Sequence, residues 1–114
     1  LPALIGTVGE SAARDMEAMI QLGDQVPSYE AIIKAPGTIK LPGGVGGYFL
    51  LAFRLSGRAK ADDMDDIMTY VNRWTSFEAK TLFVSQLAGN PSKVGMACKC
   101  RAFTKAAADL GRFF

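Results

Sequence analysis

The residue types that do chemistry are sparse in this chain, which contains no histidine and only two cysteines, Cys98 and Cys100. Without histidine the commonest general base is missing, and no serine or cysteine sits in a nucleophile elbow or beside an evident activating partner. A structural zinc site needs four ligands, more than two cysteines and no histidine supply. One residue apart on a helix, the two thiols would point about 200° from each other. They read as ordinary reduced cysteines, making a reducing cytoplasm the expected compartment. The run Gly43-Gly44-Val45-Gly46-Gly47 leads into a helix, a place where free backbone N–H groups can hold phosphate. A nucleotide P-loop, however, needs a Lys-Ser or Lys-Thr pair after its last glycine, and Tyr48-Phe49 stands there instead. Four aspartates, Asp62, Asp63, Asp65 and Asp66, could suggest magnesium, but at a helix start they fan outward and complement the backbone dipole. The remaining candidate is the basic C-terminal quarter, where Lys93, Lys99, Arg101, Lys105 and Arg112 face Asp109 as the sole acid. Such a cluster contacts phosphates or an acidic partner surface, or else is a solvated face beside helix ends that cations favour.

The elements that must position these residues all repeat at helical spacing, and none alternates at period two. At 114 residues, with 49% hydrophobic and 21% charged side chains, the chain fits one globular domain. Its net charge of +2 demands no nucleic acid. The longest apolar run, Tyr48 to Phe53, is far shorter than the ~20 residues of a membrane span. Leu1-Pro2, with no initiator Met and no basic region, does not read as a signal peptide, so the expectation is a single helical domain over 1–114 taken from a longer chain.

A first helix is expected from Pro2 to Val8. A second spans Glu10 to Leu22 with Ala12, Met16, Met19 and Ile20 on its apolar face and Gly23 as its stop. Ser28 should cap a short helix carrying Ile32 and Ile33 that ends near Ala35, before Pro36. Residues 36–47 read as a loop. From Tyr48 to about Ala59 the apolar residues cover most faces of a helix, a pattern that belongs at the centre of a bundle. Asp62 is expected to cap the next helix, whose Met64, Ile67, Met68, Val71 and Trp74 form one stripe. Thr75-Ser76-Phe77-Glu78 matches a capping box with Trp74 as its staple, and the helix that follows should bury Phe77, Val84, Leu87 and Ala88 before stopping at Gly89-Asn90-Pro91. The two helices around this corner carry only Arg73 and Lys80 as cations, which argues against a DNA groove reader. A last helix from about Met96 to Leu110 should turn Cys100, Phe103 and Ala107 inward. The fold class is therefore all-α, a compact bundle of about six short helices.

In order and spacing, several of these segments resemble the C-terminal region of MoxR-like AAA+ ATPases of bacteria and phages. The residues concerned are Val8-Gly9-Glu10-Ser11-Ala12-Ala13, Val26-Pro27 through Ile32, Leu41-Pro42 before Tyr48, Met64-Asp65 through Tyr70 and Arg73, and Phe103 through Ala107. The resemblance spans nearly the whole chain and implies a helical accessory domain that contributes to subunit packing or partner docking. It implies as partners the rest of the AAA+ core, neighbouring subunits and a protein substrate. ATP and magnesium would belong to the parent's core, whose Walker and sensor residues have no counterpart here, so no catalytic, cofactor-binding or metal-binding position carries over. The loop 36–47 is richer in glycine than the family pattern, and Trp74-Thr75-Ser76 replaces its usual Leu-Pro. The alternative is a self-contained module that binds nucleic acid or an acidic partner through its basic end.

Overall fold

The computed structural model describes residues 26–111. The helices expected over 2–8 and 10–22, together with Arg112, lie outside the described residues. The described residues form six α-helices and no strand: α1 (Tyr29–Lys34), α2 (Val45–Arg58), α3 (Met64–Val71), α4 (Phe77–Ala88), α5 (Pro91–Cys98) and α6 (Arg101–Asp109), with a 3-10 turn at Ala61–Asp63. This is the all-α bundle that the uniform helical periodicity implies.

Local signals account for most of the boundaries. Ser28 accepts a hydrogen bond from the Ala31 N–H at 3.2 Å, and α1 stops at Ala35 as the following Pro36 requires. Helix α2 begins three residues earlier than expected: Gly44 is its N-cap, and its carbonyl accepts from the Gly47 and Tyr48 N–H groups. The second half of the glycine run is thus the first turn of the helix and not part of a loop. The first half of the 36–47 segment is held from outside. The Arg73 guanidinium donates to the Pro36 and Ile39 carbonyls at 2.7 and 3.0 Å, and the Tyr70 hydroxyl donates to the Lys40 carbonyl at 2.9 Å.

Tyr48, Leu51, Ala52 and Leu55 of α2 point inward, as do Met64, Ile67, Met68, Tyr70 and Val71 of α3. Trp74 is only 4% exposed, and its indole meets Tyr48, Tyr70 and Phe83 edge to face, with ring centroids 5.7, 6.2 and 6.3 Å away. Ala79, Phe83, Val84 and Leu87 complete the core from α4, and Phe103, Ala106 and Ala107 from α6. Cys100, Phe103 and Ala107 are therefore inward, as their spacing implies.

Four further expectations are corrected. The cap of α4 is Ser76, whose hydroxyl accepts from the Ala79 N–H at 3.2 Å; Thr75, one residue earlier, shares a 3.2 Å hydrogen bond with the Tyr48 hydroxyl. That shift of register makes Phe77 the first helical residue and turns it outward, 61% exposed, where burial had been expected. Asp62 does not cap α3: it lies within the 3-10 turn, and the residue at the N-cap position, Asp63, makes no capping bond of its own. Finally, the single helix expected over Met96 to Leu110 is two. Helix α4 stops at Gly89-Asn90-Pro91 as expected, with Gly89 as its C-cap, but Pro91 also opens α5 as its first residue with Asn90 as cap, because a proline lacks only an N–H that the first turn leaves unpaired anyway. The chain breaks again at Cys100, which is extended at φ −90°, ψ 115° and precedes α6.

Candidate functional site

The basic end divides once the helices are in place. Lys93, on the first turn of α5, reaches across to the end of α2, where its ammonium donates to the Gly57 and Ala59 carbonyls at 3.0 and 2.9 Å. It satisfies carbonyls that a helix end leaves without partners, so its charge serves packing rather than an external ligand. Lys105 lies 3.4 Å from Asp109 one turn further on, with both side chains largely exposed, a pair of little energetic weight. Lys99 and Arg101 are exposed on either side of the Cys100 break. Three of the five candidate cations therefore share this exposed region, Lys93 is engaged elsewhere, and Arg112 lies outside the described residues.

Beside Lys99 is a cleft of about 480 Å³ lined by Ala61, Met64, Asp65, Gly95, Met96 and Cys100. The Cys100 thiol donates to Asp65 Oδ1 at 3.2 Å. Burial, followed by that carboxylate, pushes the thiol's pKa up, so near neutrality it remains an S–H donor rather than a thiolate nucleophile. Asp65 is thereby committed to the start of α6, whereas Asp63 faces α1 and accepts from the Tyr29 hydroxyl at 2.6 Å. Among the described residues, no three His, Cys, Asp or Glu side chains converge as metal ligands.

The second polar cluster was not foreseen from sequence. Arg58, at the end of α2, lies over the Tyr29 ring, 4.4 Å from its centroid, and meets Glu30 Oε1 at 2.6 Å. Burial and the Asp63 carboxylate hold the Tyr29 phenol far above its ordinary range. The hydrogen bond between Arg58 and Glu30 lowers the carboxylate's pKa and raises the guanidinium's. Burial pushes Tyr70 up to about 12. Every resolved shift thus moves its group further from neutrality, the opposite of the tuning that acid and base catalysts require. The partners are about 30 residues apart in the chain, so no local pattern could have announced the cluster. What the arrangement does is clamp α1 to α2 and to the 3-10 turn.

An apolar surface runs along the seam of α2 and α4. An open groove of about 380 Å³ there is lined by Phe49, Phe77, Glu78, Thr81, Leu82 and Ser85, with Val45 and Phe53 exposed nearby on α2. No helix among the described residues is long and apolar enough to cross a membrane. The chain matches no family model, no curated protein and no solved structure.

Proposed function

We propose that this chain is a helical accessory module of a MoxR-like AAA+ ATPase, working in the cytoplasm through subunit packing or through docking of the protein its parent remodels. The observation that carries this reading is the use made of the residues in the resemblance. Tyr70 and Arg73 hold the 36–40 segment by its carbonyls, Pro42 and Tyr48 are buried where that segment enters α2, and Phe103 and Ala107 anchor the final helix. A motif spent on holding a loop and closing a core is a fold signature, the kind of pattern a non-catalytic module would carry. ATP and magnesium would act in the parent's core, and the core, its neighbouring subunits and a protein substrate are the partners.

The coding sequence upstream of Leu1 tests this directly. The expected finding is a Gly-x-x-x-x-Gly-Lys-Thr loop within about 250 residues; a start codon immediately before Leu1 would overturn the reading. Calorimetric titration of Mg-ATP into the chain alone should show no micromolar binding, since the glycines before Tyr48 lack the cation that neutralises phosphate. The competing function, nucleic-acid binding through Lys99, Arg101 and Lys105, requires an affinity that falls steeply with salt.

A further inference from the structure

Helix α2 presents an apolar side to solvent. On one side of it Val45, Gly46, Phe53 and Gly57 are exposed and Phe49 half-buried, with Val45 and Phe53 59% and 44% exposed, while the charged Arg54 and Arg58 lie beyond the edge of that side. Val45, Phe49 and Phe53 recur at i, i+4 and i+8, one continuous stripe that borders the groove against α4. A β-carbon added at Gly46 or Gly57 would meet nothing within 4 Å, so a neighbouring backbone has room to approach there. A helix that is hydrophobic on nearly every side belongs inside a bundle, yet the described helices cover α2 only in part.

We propose that this face is the docking surface for residues 10–22 of the same chain, which complete the bundle and leave α2 at its centre. Three features select that occupant. In the sequence of 10–22, Ala12, Met16, Met19 and Ile20 repeat at one helical phase and Glu10, Arg14, Glu17 and Gln21 at the other, so one side needs cover and the other needs water. The two stripes match in length: Ala12 to Ile20 and Val45 to Phe53 each span eight residues, about 12 Å of helix. The connection also fits. Tyr29 lies under Arg58, so the chain enters α1 beside the end of α2, and residues 23–25 can reach back about 10 Å. A helix over 10–22 then starts near Val45, runs along α2 and ends at Leu22 beside Gly57, laying methionines against phenylalanines, a favourable sulfur–aromatic pairing.

Disulfide trapping in the full chain tests this. With Cys98→Ser and Cys100→Ala in place, Met19→Cys and Gly57→Cys should form an intramolecular bond under mild oxidation, while Arg14→Cys and Gly57→Cys should not. Bonds formed only between chains would assign the face to a second copy and overturn the proposal, as would equal trapping by both pairs. Thermal melts add a readout independent of cysteine. Phe53→Lys should lower the midpoint by about 5 °C, with a much smaller further loss when Met16→Lys is added to it than when Met16→Lys is made alone. An unchanged midpoint for Phe53→Lys, or strictly additive losses, would show that the stripe faces solvent and sink the proposal.

Discussion

Two corners of this bundle join helices in different ways, one at residues 72–76 between α3 and α4, the other at 99–100 between α5 and α6. The first is filled by Trp74, with three aromatic neighbours around one indole and Ser76 closing the next helix. The second has no large buried side chain in its turn. Cys100 holds it with a thiol bond to Asp65, and α5 contributes only Ala97 as a fully buried residue, beside a cleft of about 480 Å³. One corner is fixed by buried aromatic area and the other by a single polar contact between distant residues. Stability should therefore be concentrated at the first, with the second the easier to open.

The contrast is tested most severely by Trp74→Ala. Removing a large aromatic from a filled site forfeits its transfer energy and leaves a cavity, about 3–5 kcal/mol, enough to unfold a marginal domain. Denaturant melts placing this variant within error of the parent would mean that the aromatic cluster is not the keystone of the corner. Lys93→Met should have the next largest effect, about 1.5 kcal/mol, because two carbonyls at the end of α2 lose a charged donor. Lys105→Met, whose pair with Asp109 lies in solvent, should stay within about 0.5 kcal/mol. Equal losses for the two lysines would contradict the division of the basic end into a packing cation and free ones.

These corners also separate what sequence could tell from what it could not. The stripe from Met64 to Trp74 was legible because five large residues repeat at helical spacing, and each is buried. The Cys100 break was illegible because Met96 to Leu110 contains no proline and no glycine to mark it. At the break the buried thiol donates to Asp65, 35 residues earlier, a partner that no local pattern announces. The α4 cap was misplaced by one residue because Thr75 and Ser76 are both good caps, and only the distant Tyr48 hydroxyl draws Thr75 away. The same limit governs the candidate site. The cations could be located by counting, but that Lys93 belongs to α2 is a tertiary fact, as is the clamp of Tyr29, Arg58, Glu30 and Asp63.

The cap reassignment yields a smaller and sharper comparison. Ser76→Ala should cost about 1 kcal/mol by leaving the Ala79 N–H without its acceptor. Thr75→Ala should cost less, since the Tyr48 hydroxyl it partners can turn to water at an exposed residue. If urea melts reverse that order, Thr75 is the working cap in solution and the corner begins one residue earlier.

The smallest expected effect belongs to the second corner and appears only with pH. A thiol ionises near pH 8.5 in an unfolded chain, whereas burial and Asp65 raise the pKa of Cys100 in the folded one. Between those two values the unfolded state has released a proton that the folded state retains, so unfolding is favoured as pH rises. The stabilisation is complete below about pH 8 and is lost as pH climbs through the folded pKa. Tyrosines enter only above about pH 10, and Tyr29 and Tyr70 are themselves shifted upward, which leaves the window between to the thiol. The parent's melting temperature should therefore fall modestly between pH 8 and 9.5, and Cys100→Ala should fall less, since it has no thiol there to ionise. Parallel slopes for the two proteins would mean that the thiol is neither buried nor held by Asp65 in solution. The second corner would then rest on backbone geometry alone, and the contrast with the Trp74 corner would be greater still.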